Sequence, residues 1–330
     1  MTVQGARVRT LQKLLEVPGV LVSDPANIFY YSGYRSDSDG PLLLVRKQGR
    51  PLLFLSPLAD PQRVWADIRF SGKGALEKEL PKAVGFEEGH LPAGLFLRLR
   101  KGRSLVPAGE TVRKPREIKG PEELERMRKA IGISARALAR LPLFGRAERE
   151  VARAIELEFY RRGGAPAFET IVASGAPAGA VIHHVPGRRQ VRRGEMVIVD
   201  FGARWQGYCA DITRTWVPGR GRRQRRVAET VQELQEECID RLRPGVPFRE
   251  INEFHESFLR KRGFEPRHGI GHGIGLEVHE PAGALEKGMV VTIEPGIYLK
   301  GLGGCRIEDM VLMGSRPRVL TRRIPRAPWG

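Results

Sequence analysis

Apolar positions along this chain recur at two periods, and the switches between them mark its elements. Short apolar runs at residues 19–23, 41–46 and 51–56, each bounded by Gly, Pro, Asp or Ser, predict strands. Residues 60–70 and 91–100 read as helices. A small α/β unit follows from this mixture. Residues 112–120 then turn polar, and Pro115 disfavours a continuous helix there. The boundary is placed in this stretch, dividing the chain into domains at 1–117 and 118–330.

Beyond it the helical period dominates. Pro121 stands where a first helical residue should, and Glu122, Glu123 and Glu125 favour the positive end of the helix dipole. Leu124, Met127, Ile131, Ala135 and Leu138 continue the stripe. Further helices are predicted at 148–162, stopped by Gly163-Gly164, at 222–242, stopped by Pro244-Gly245, and at 248–262. Strand-like segments lie between them at 170–173, 196–201, 211–217, 290–294 and 306–313.

Two of these strands repeat a pattern. Gly194 is followed by five residues, Asp200, one residue and Gly202; Gly288 is followed by five residues, Glu294, one residue and Gly296. Each is followed by turn-rich chain and a second strand bearing another carboxylate, Asp211 in one and Glu308 in the other. Such a duplication predicts two similar half-domains related by a pseudo-twofold axis, with four carboxylates where they meet.

Composition narrows the class. With 330 residues, 41% hydrophobic and 28% charged, the chain is an ordinary globular protein of two domains. No apolar run approaches the roughly 20 residues of a membrane helix, and residues 1–10 lack the apolar core of a secretory signal. Three scattered cysteines, Cys209, Cys238 and Cys305, suit a reducing compartment, so a cytoplasmic location is expected and no membrane association. The net charge of +18 is spread over both domains and comes mostly from Arg, so no specific nucleic-acid partner is expected. The densest basic run, Arg220 to Arg226, reads as a solvated loop leading into a helix.

The chemistry lies in the carboxylates. Four of them at one seam repel each other and resist burial, and two divalent cations resolve this, leaving a bridging hydroxide as nucleophile. Carboxylates with one imidazole suit Mn²⁺ or Co²⁺, with Zn²⁺ as an alternative. The imidazole is expected from His268-Gly-Ile-Gly-His272-Gly, whose glycines allow close backbone approach. Cys209 and Cys305 read as packing residues.

Asp200, Asp211, Gly271-His272-Gly273, Ile293-Glu294-Pro295-Gly296 and Arg306-Ile307-Glu308-Asp309 resemble the five-ligand signature of the pita-bread metallopeptidases. Residues 22–33, Val-Ser-Asp-Pro-Ala-Asn-Ile-Phe-Tyr-Tyr-Ser-Gly, are similar to the N-terminal domain of the Xaa-Pro dipeptidase, Xaa-Pro aminopeptidase and creatinase branch. The resemblance implies a small creatinase-like α/β domain followed by a pita-bread domain, and hydrolysis of peptides with proline second. Xaa-Pro dipeptidase is the favoured activity; Xaa-Pro aminopeptidase is the alternative, and a non-enzymatic binding module a lower one. A creatinase-like hydrolase is disfavoured because creatinases lack the metal ligands present here.

Carried over by residue, the resemblance implies that Asp200 chelates one metal, that Asp211 and Glu308 bridge two, and that His272 and Glu294 complete the set. Glu294 would also shuttle a proton, and His183 and His279 would donate to the oxyanion or the scissile nitrogen. His268 would line the pocket, and Arg306, read as lying on the same strand face as Glu308, would orient the carboxylates. A homodimer is also implied. Two departures stand out. The segment from Ser174 to the upstream histidine is one residue longer than usual, so His184 competes with His183 for that role. The stretch 280–287 is short and lacks the Arg that often holds the substrate's carboxylate.

Overall fold

The computed structural model describes residues 2–35, 40–60, 64–72, 74–218 and 221–325. The chain divides into two compact units, Met1–Arg116 and Glu117–Gly330. The first opens with helix α1 (Val3–Leu14), strand β1 (Gly19–Val22) and helix α2 (Pro25–Ser32). It continues through β2 (Leu42–Arg46), β3 (Leu52–Leu55), β4 (Asp67–Phe70), α3 (Ala75–Glu79), β5 (Ala83–Phe86), α4 (Ala93–Leu99) and β6 (Ser104–Pro107) to α5 (Gly109–Glu117). Its six-stranded sheet has the order β4-β3-β2-β1-β5-β6. β2 runs antiparallel to both neighbours, while β1–β5, β5–β6 and β3–β4 are parallel.

Two expectations need correction here. The stretch 60–70 is not a helix: 67–70 form a parallel edge strand on β3, with Asp67 N–H donating to Pro51 and Ser71 N–H to Leu55. Three of its four side chains are exposed, so backbone pairing fixes it and apolar periodicity gives no guide. Residues 61–63 lie outside the described residues. Pro115 likewise does not break its helix, because it falls in the last turn and forfeits one N–H. The phenol of Tyr31 donates to the Val112 carbonyl (2.6 Å) and that of Tyr30 to the Pro115 carbonyl (2.7 Å), holding that turn.

The motif of residues 22–33 builds a polar knot. Glu87, 1% exposed, accepts from the Ser23 and Asp24 N–H groups and the Asn27 amide, while the buried Arg116 donates to Asn27 Oδ1 at 2.7 Å. These residues cap α2 and tie it to α5.

The second unit begins with α6 (Pro121–Ala139), α7 (Glu148–Arg161), β7 (Ala165–Pro166) and β8 (Ile171–Ser174). Then come β9 (Val197–Phe201), β10 (Ala203–Trp205), β11 (Tyr208–Cys209) and β12 (Ile212–Trp216). The pattern repeats in helices α8 (Arg222–Arg241) and α9 (Phe248–Lys261), then β13 (Val290–Ile293), β14 (Gly296–Leu299), β15 (Gly303–Arg306), β16 (Asp309–Leu312) and β17 (Arg318–Val319). Gly219 and Arg220 of the basic run lie outside the described residues; the described part of the run opens α8.

Each half has the same plan. β9 pairs antiparallel with β12 around a small β10–β11 hairpin, and β13 pairs antiparallel with β16 around a β14–β15 hairpin. The stretch 306–313 is therefore not one strand. It breaks at Ile307-Glu308, with Arg306 ending β15 and Asp309 opening β16, so Arg306 and Glu308 do not share a strand face. Helices α8 and α9 bury Val231, Leu234, Cys238, Ile251 and Leu259 against Val291, Ile293, Cys305 and Val311. All three cysteines are free and buried. Among the described residues no helix is long and apolar enough to cross a membrane.

Candidate metal centre

The duplicated strands place the acidic residues. Asp200 lies on β9 opposite Thr213, and Asp211 directly precedes Ile212, the partner of Phe201. Glu294 directly follows β13 and Glu308 directly precedes β16, flanking the pair Ile293–Asp309. The four carboxylates thus sit at corresponding ends of two strand pairs and all line one cavity of about 480 Å³.

Gly271 explains how a histidine reaches the same place. The segment 270–272 pairs with β13: Glu294 N–H donates to Ile270, Thr292 N–H to His272, and His272 N–H to Thr292 Oγ1. A Cβ on Gly271 would stand 2.1 Å from the Thr292 carbonyl oxygen, so only glycine permits this approach. His272 Nδ1 lies 3.0 Å from the Gly273 carbonyl, which can only accept, so Nδ1 carries the proton. Burial holds the ring neutral, with its pKa lowered to about 4. Its bare Nε2 then lies 3.4 Å from Glu294 Oε1 and 3.7 Å from Asp211 Oδ2.

Lone pair facing carboxylate is repulsive unless a cation sits between. Ligand atoms of Asp211, His272 and Glu308 all lie within 4.8 Å of one another. Glu308 Oε1 and Asp200 Oδ1 are buried without a hydrogen-bond partner. Burial, then neighbouring carboxylates, push Asp211 and Glu308 well above the usual carboxylate range, and burial takes Glu294 up to about 7. Hard oxygen donors, a bare imidazole nitrogen and orphaned acceptors fit divalent cations.

A set of neutral and cationic donors holds these acids. Arg306, 2% exposed, donates to Asp200 Oδ2 (2.6 Å), Tyr298 Oη (2.8 Å) and Thr213 Oγ1 (3.2 Å). Thr213 Oγ1 in turn donates to Glu308 Oε2 at 2.9 Å. Arg306 and Glu308 therefore meet through Thr213 although they belong to different strands. His268 gives Nδ1–H to the Gly269 carbonyl (2.8 Å), so its Nε2 accepts from Tyr298 Oη (2.8 Å). Behind Glu308, Arg214 donates to its carbonyl (2.5 Å) and to Asp309 (2.8 Å), both side chains fully buried.

His183, His184, His268, His272 and His279 all line the cavity. His279 packs edge-on against His272, ring centres 4.3 Å apart. His183 is exposed at the wall, while His184 is bound to Glu148. Thr213, Tyr298, Arg214 and Glu148 were not singled out by sequence. Thr213 stands opposite Asp200 across β9 and β12, and Tyr298 lies two residues along β14 from Gly296, the partner of Arg306; both placements come from strand register, which the sequence pattern does not give.

The fold and the acid-histidine cluster define a metallohydrolase of duplicated strand-hairpin-strand halves. Residues 125–315 match the metallopeptidase family M24 and residues 6–118 the creatinase/prolidase N-terminal domain. The chain belongs to metallopeptidase family M24. It is 31% identical over 351 residues to a Xaa-Pro dipeptidase of Pyrococcus horikoshii, covering 98% of this chain and 99% of that one. The fold matches the crystal structure of the prolidase from Pyrococcus horikoshii OT3 with a TM-score of 0.88 at 30% identity, over 96% of this chain and 98% of that one. An X-Pro aminopeptidase from Thermotoga maritima MSB8 matches with a TM-score of 0.88 at 29% identity, over 98% of each chain. The chain is thus a metal-dependent peptidase with the pita-bread fold, as the five-part motif implied.

Proposed function

We propose that this protein hydrolyses Xaa-Pro peptide bonds, in dipeptides first, with two divalent cations held by Asp200, Asp211, His272, Glu294 and Glu308. The observation that carries the reading is the bare His272 nitrogen set among three carboxylates in a cavity of about 480 Å³. Similarity to the Pyrococcus horikoshii Xaa-Pro dipeptidase over nearly the whole chain supports the substrate class. Bound there, Mn²⁺ or Co²⁺ would supply an activated water and charge neutralisation.

The protein's own groups do the rest. Glu294 lines the cavity 3.4 Å from His272 Nε2, where its carboxylate can take and return a proton. His183 and His279 stand on the cavity wall, where an imidazole N–H can donate to the oxyanion or to the departing prolyl nitrogen. Arg306 holds Asp200 in place through its guanidinium. We assign the catalytic domain to residues 118–330 and the N-terminal domain to 1–117, in a homodimer working in the cytoplasm.

Xaa-Pro aminopeptidase is the second reading, favoured by the short stretch 280–287 that lacks an Arg. The test is to strip the metal, reload with Mn²⁺ or Co²⁺, and compare a Xaa-Pro dipeptide with the matching Xaa-Pro tripeptide. Faster dipeptide cleavage supports the dipeptidase reading; faster tripeptide cleavage replaces it by the aminopeptidase. No cleavage of either refutes both.

A further inference from the structure

The glycine-rich segment that delivers His272 closes on itself a few residues later, and the closure is built around one carboxylate. Gly273 and Glu280 exchange backbone hydrogen bonds, each N–H donating to the other's carbonyl at 2.8 Å. His272 and His279 directly precede these two residues, and their rings meet edge-on with centres 4.3 Å apart. The Glu280 side chain folds back into the loop it closes, where Oε1 accepts from the N–H groups of Leu276 (3.1 Å) and Glu277 (3.4 Å). A Cβ on Gly275 would stand 2.9 Å from either oxygen of that carboxylate, so glycine leaves the room it needs.

The other oxygen, Oε2, accepts from Lys119 Nζ at 2.9 Å. Nζ also donates to the Glu117 carbonyl (3.3 Å), and the Lys119 N–H donates to the Gly288 carbonyl (2.9 Å), so the lysine is held at both ends. Lys119 is 6% exposed and Glu280 7%. Burying such a pair adds little stability over an apolar pair of the same size, so its use here points to geometry. The ammonium fixes the carboxylate, and the carboxylate fixes the loop between the two histidines. His279 depends on this most. Its ring is exposed at the cavity wall and leans on the edge of His272, so its placement follows the backbone that Glu280 holds.

We infer that the buried Lys119–Glu280 pair positions the two histidines, holding His279 against His272 so that one imidazole faces the carboxylates and the other faces the substrate. Both are positioning residues, and neither lines the cavity. The catalytic meaning rests on the Xaa-Pro reading; the placement of the rings does not.

The test therefore has two readouts. The first is nuclear magnetic resonance of the metal-free protein with labelled histidine, which reads the cross-peak between the ring protons of His272 and His279. It should be strong in wild type and lose most of its intensity in Lys119→Met and in Glu280→Gln, with circular dichroism confirming that the variants fold. Gln keeps the shape of Glu280, but its single carbonyl oxygen cannot serve Lys119 on one side and the Leu276 N–H on the other. The second readout is cleavage of a Xaa-Pro dipeptide by the Mn²⁺-loaded protein. Either substitution should lower kcat about tenfold with KM unchanged, the signature of a misplaced group that acts in the transition state. The same substitutions in a His279→Ala background should lower it less than about twofold, because the group they position is gone. An intact cross-peak in both variants overturns the inference, as does an equal loss of kcat with and without His279. A wild type that cleaves no dipeptide sinks the peptidase reading instead, and the cross-peak then decides the role of the pair by itself.

Discussion

At the scale of single residues, the centre is a problem of charge whose answer is visible in the protonation of one ring. His272 spends its only proton on the Gly273 carbonyl and turns a lone pair toward Asp211 and Glu294. Asp211 is the acid most enclosed by others, its pKa raised by burial, then by Glu308, Asp200 and Glu294. Replacing Asp211 by Asn should relieve that repulsion in the stripped protein while removing a ligand. The expected outcome is an unchanged or slightly higher melting temperature without metal, metal affinity reduced at least 10-fold by calorimetry, and no turnover. Retention of full activity would refute the bridging role. Residues of this kind were legible because acid, spacing and glycine form one signature: Asp200, Asp211, His272, Glu294 and Glu308 all line the cavity. Their supporters were less legible. Thr213 and Tyr298 are ordinary strand residues in sequence; the meeting of β12 with β15 brings Thr213 to Arg306, and the pairing of β14 with β15 brings Tyr298 to it.

Elements were readable where local chemistry decides them. Pro121 with its following glutamates, and Gly163-Gly164 after α7, start and stop helices by their own backbone preferences. The edge strand β4 and the break at Ile307-Glu308 are decided by distant pairing, so no pattern in those residues announces them. That break matters, because it is where β16 begins and where Arg214 intrudes. Arg214 of β12 donates to the Glu308 carbonyl, to Asp309 and to the Ile324 carbonyl (3.1 Å), and Thr321 Oγ1 also donates to Asp309. One buried guanidinium thus ties β12, β16 and the chain after β17 into a single support for Glu308. Asp309→Asn would leave that guanidinium without its counter-charge. Denaturant unfolding should show a loss of about 3 kcal/mol or more, as for other buried pairs broken on one side. A loss under about 0.5 kcal/mol, the scale of an exposed pair, would show that the pair is not the tie described.

Across the whole catalytic unit, the same acids proposed to bind cations would oppose folding without them. Each half contributes two carboxylates, so cations held as proposed would bond the halves together, and their removal should be felt as instability. Without cations, burial holds Glu294 up to about 7, against an ordinary value near 4.5, and holds Asp211 and Glu308 up in the same direction. The folded protein then keeps protons that the unfolded chain releases between about pH 4.5 and 7, so its stability falls as pH rises through that window. For Glu294 alone the effect is of order 3 kcal/mol. Cations reverse the sign by displacing those protons, and their affinity rises with pH for the same reason. Melting of stripped and Mn²⁺-loaded protein should therefore be compared between pH 5 and 7.5, the difference cancelling groups remote from the site. The gap in melting temperature should widen steadily toward pH 7.5. A gap that is constant, or that narrows as pH rises, would mean the acids are already ionised in the stripped protein and that cations are not what their burial requires.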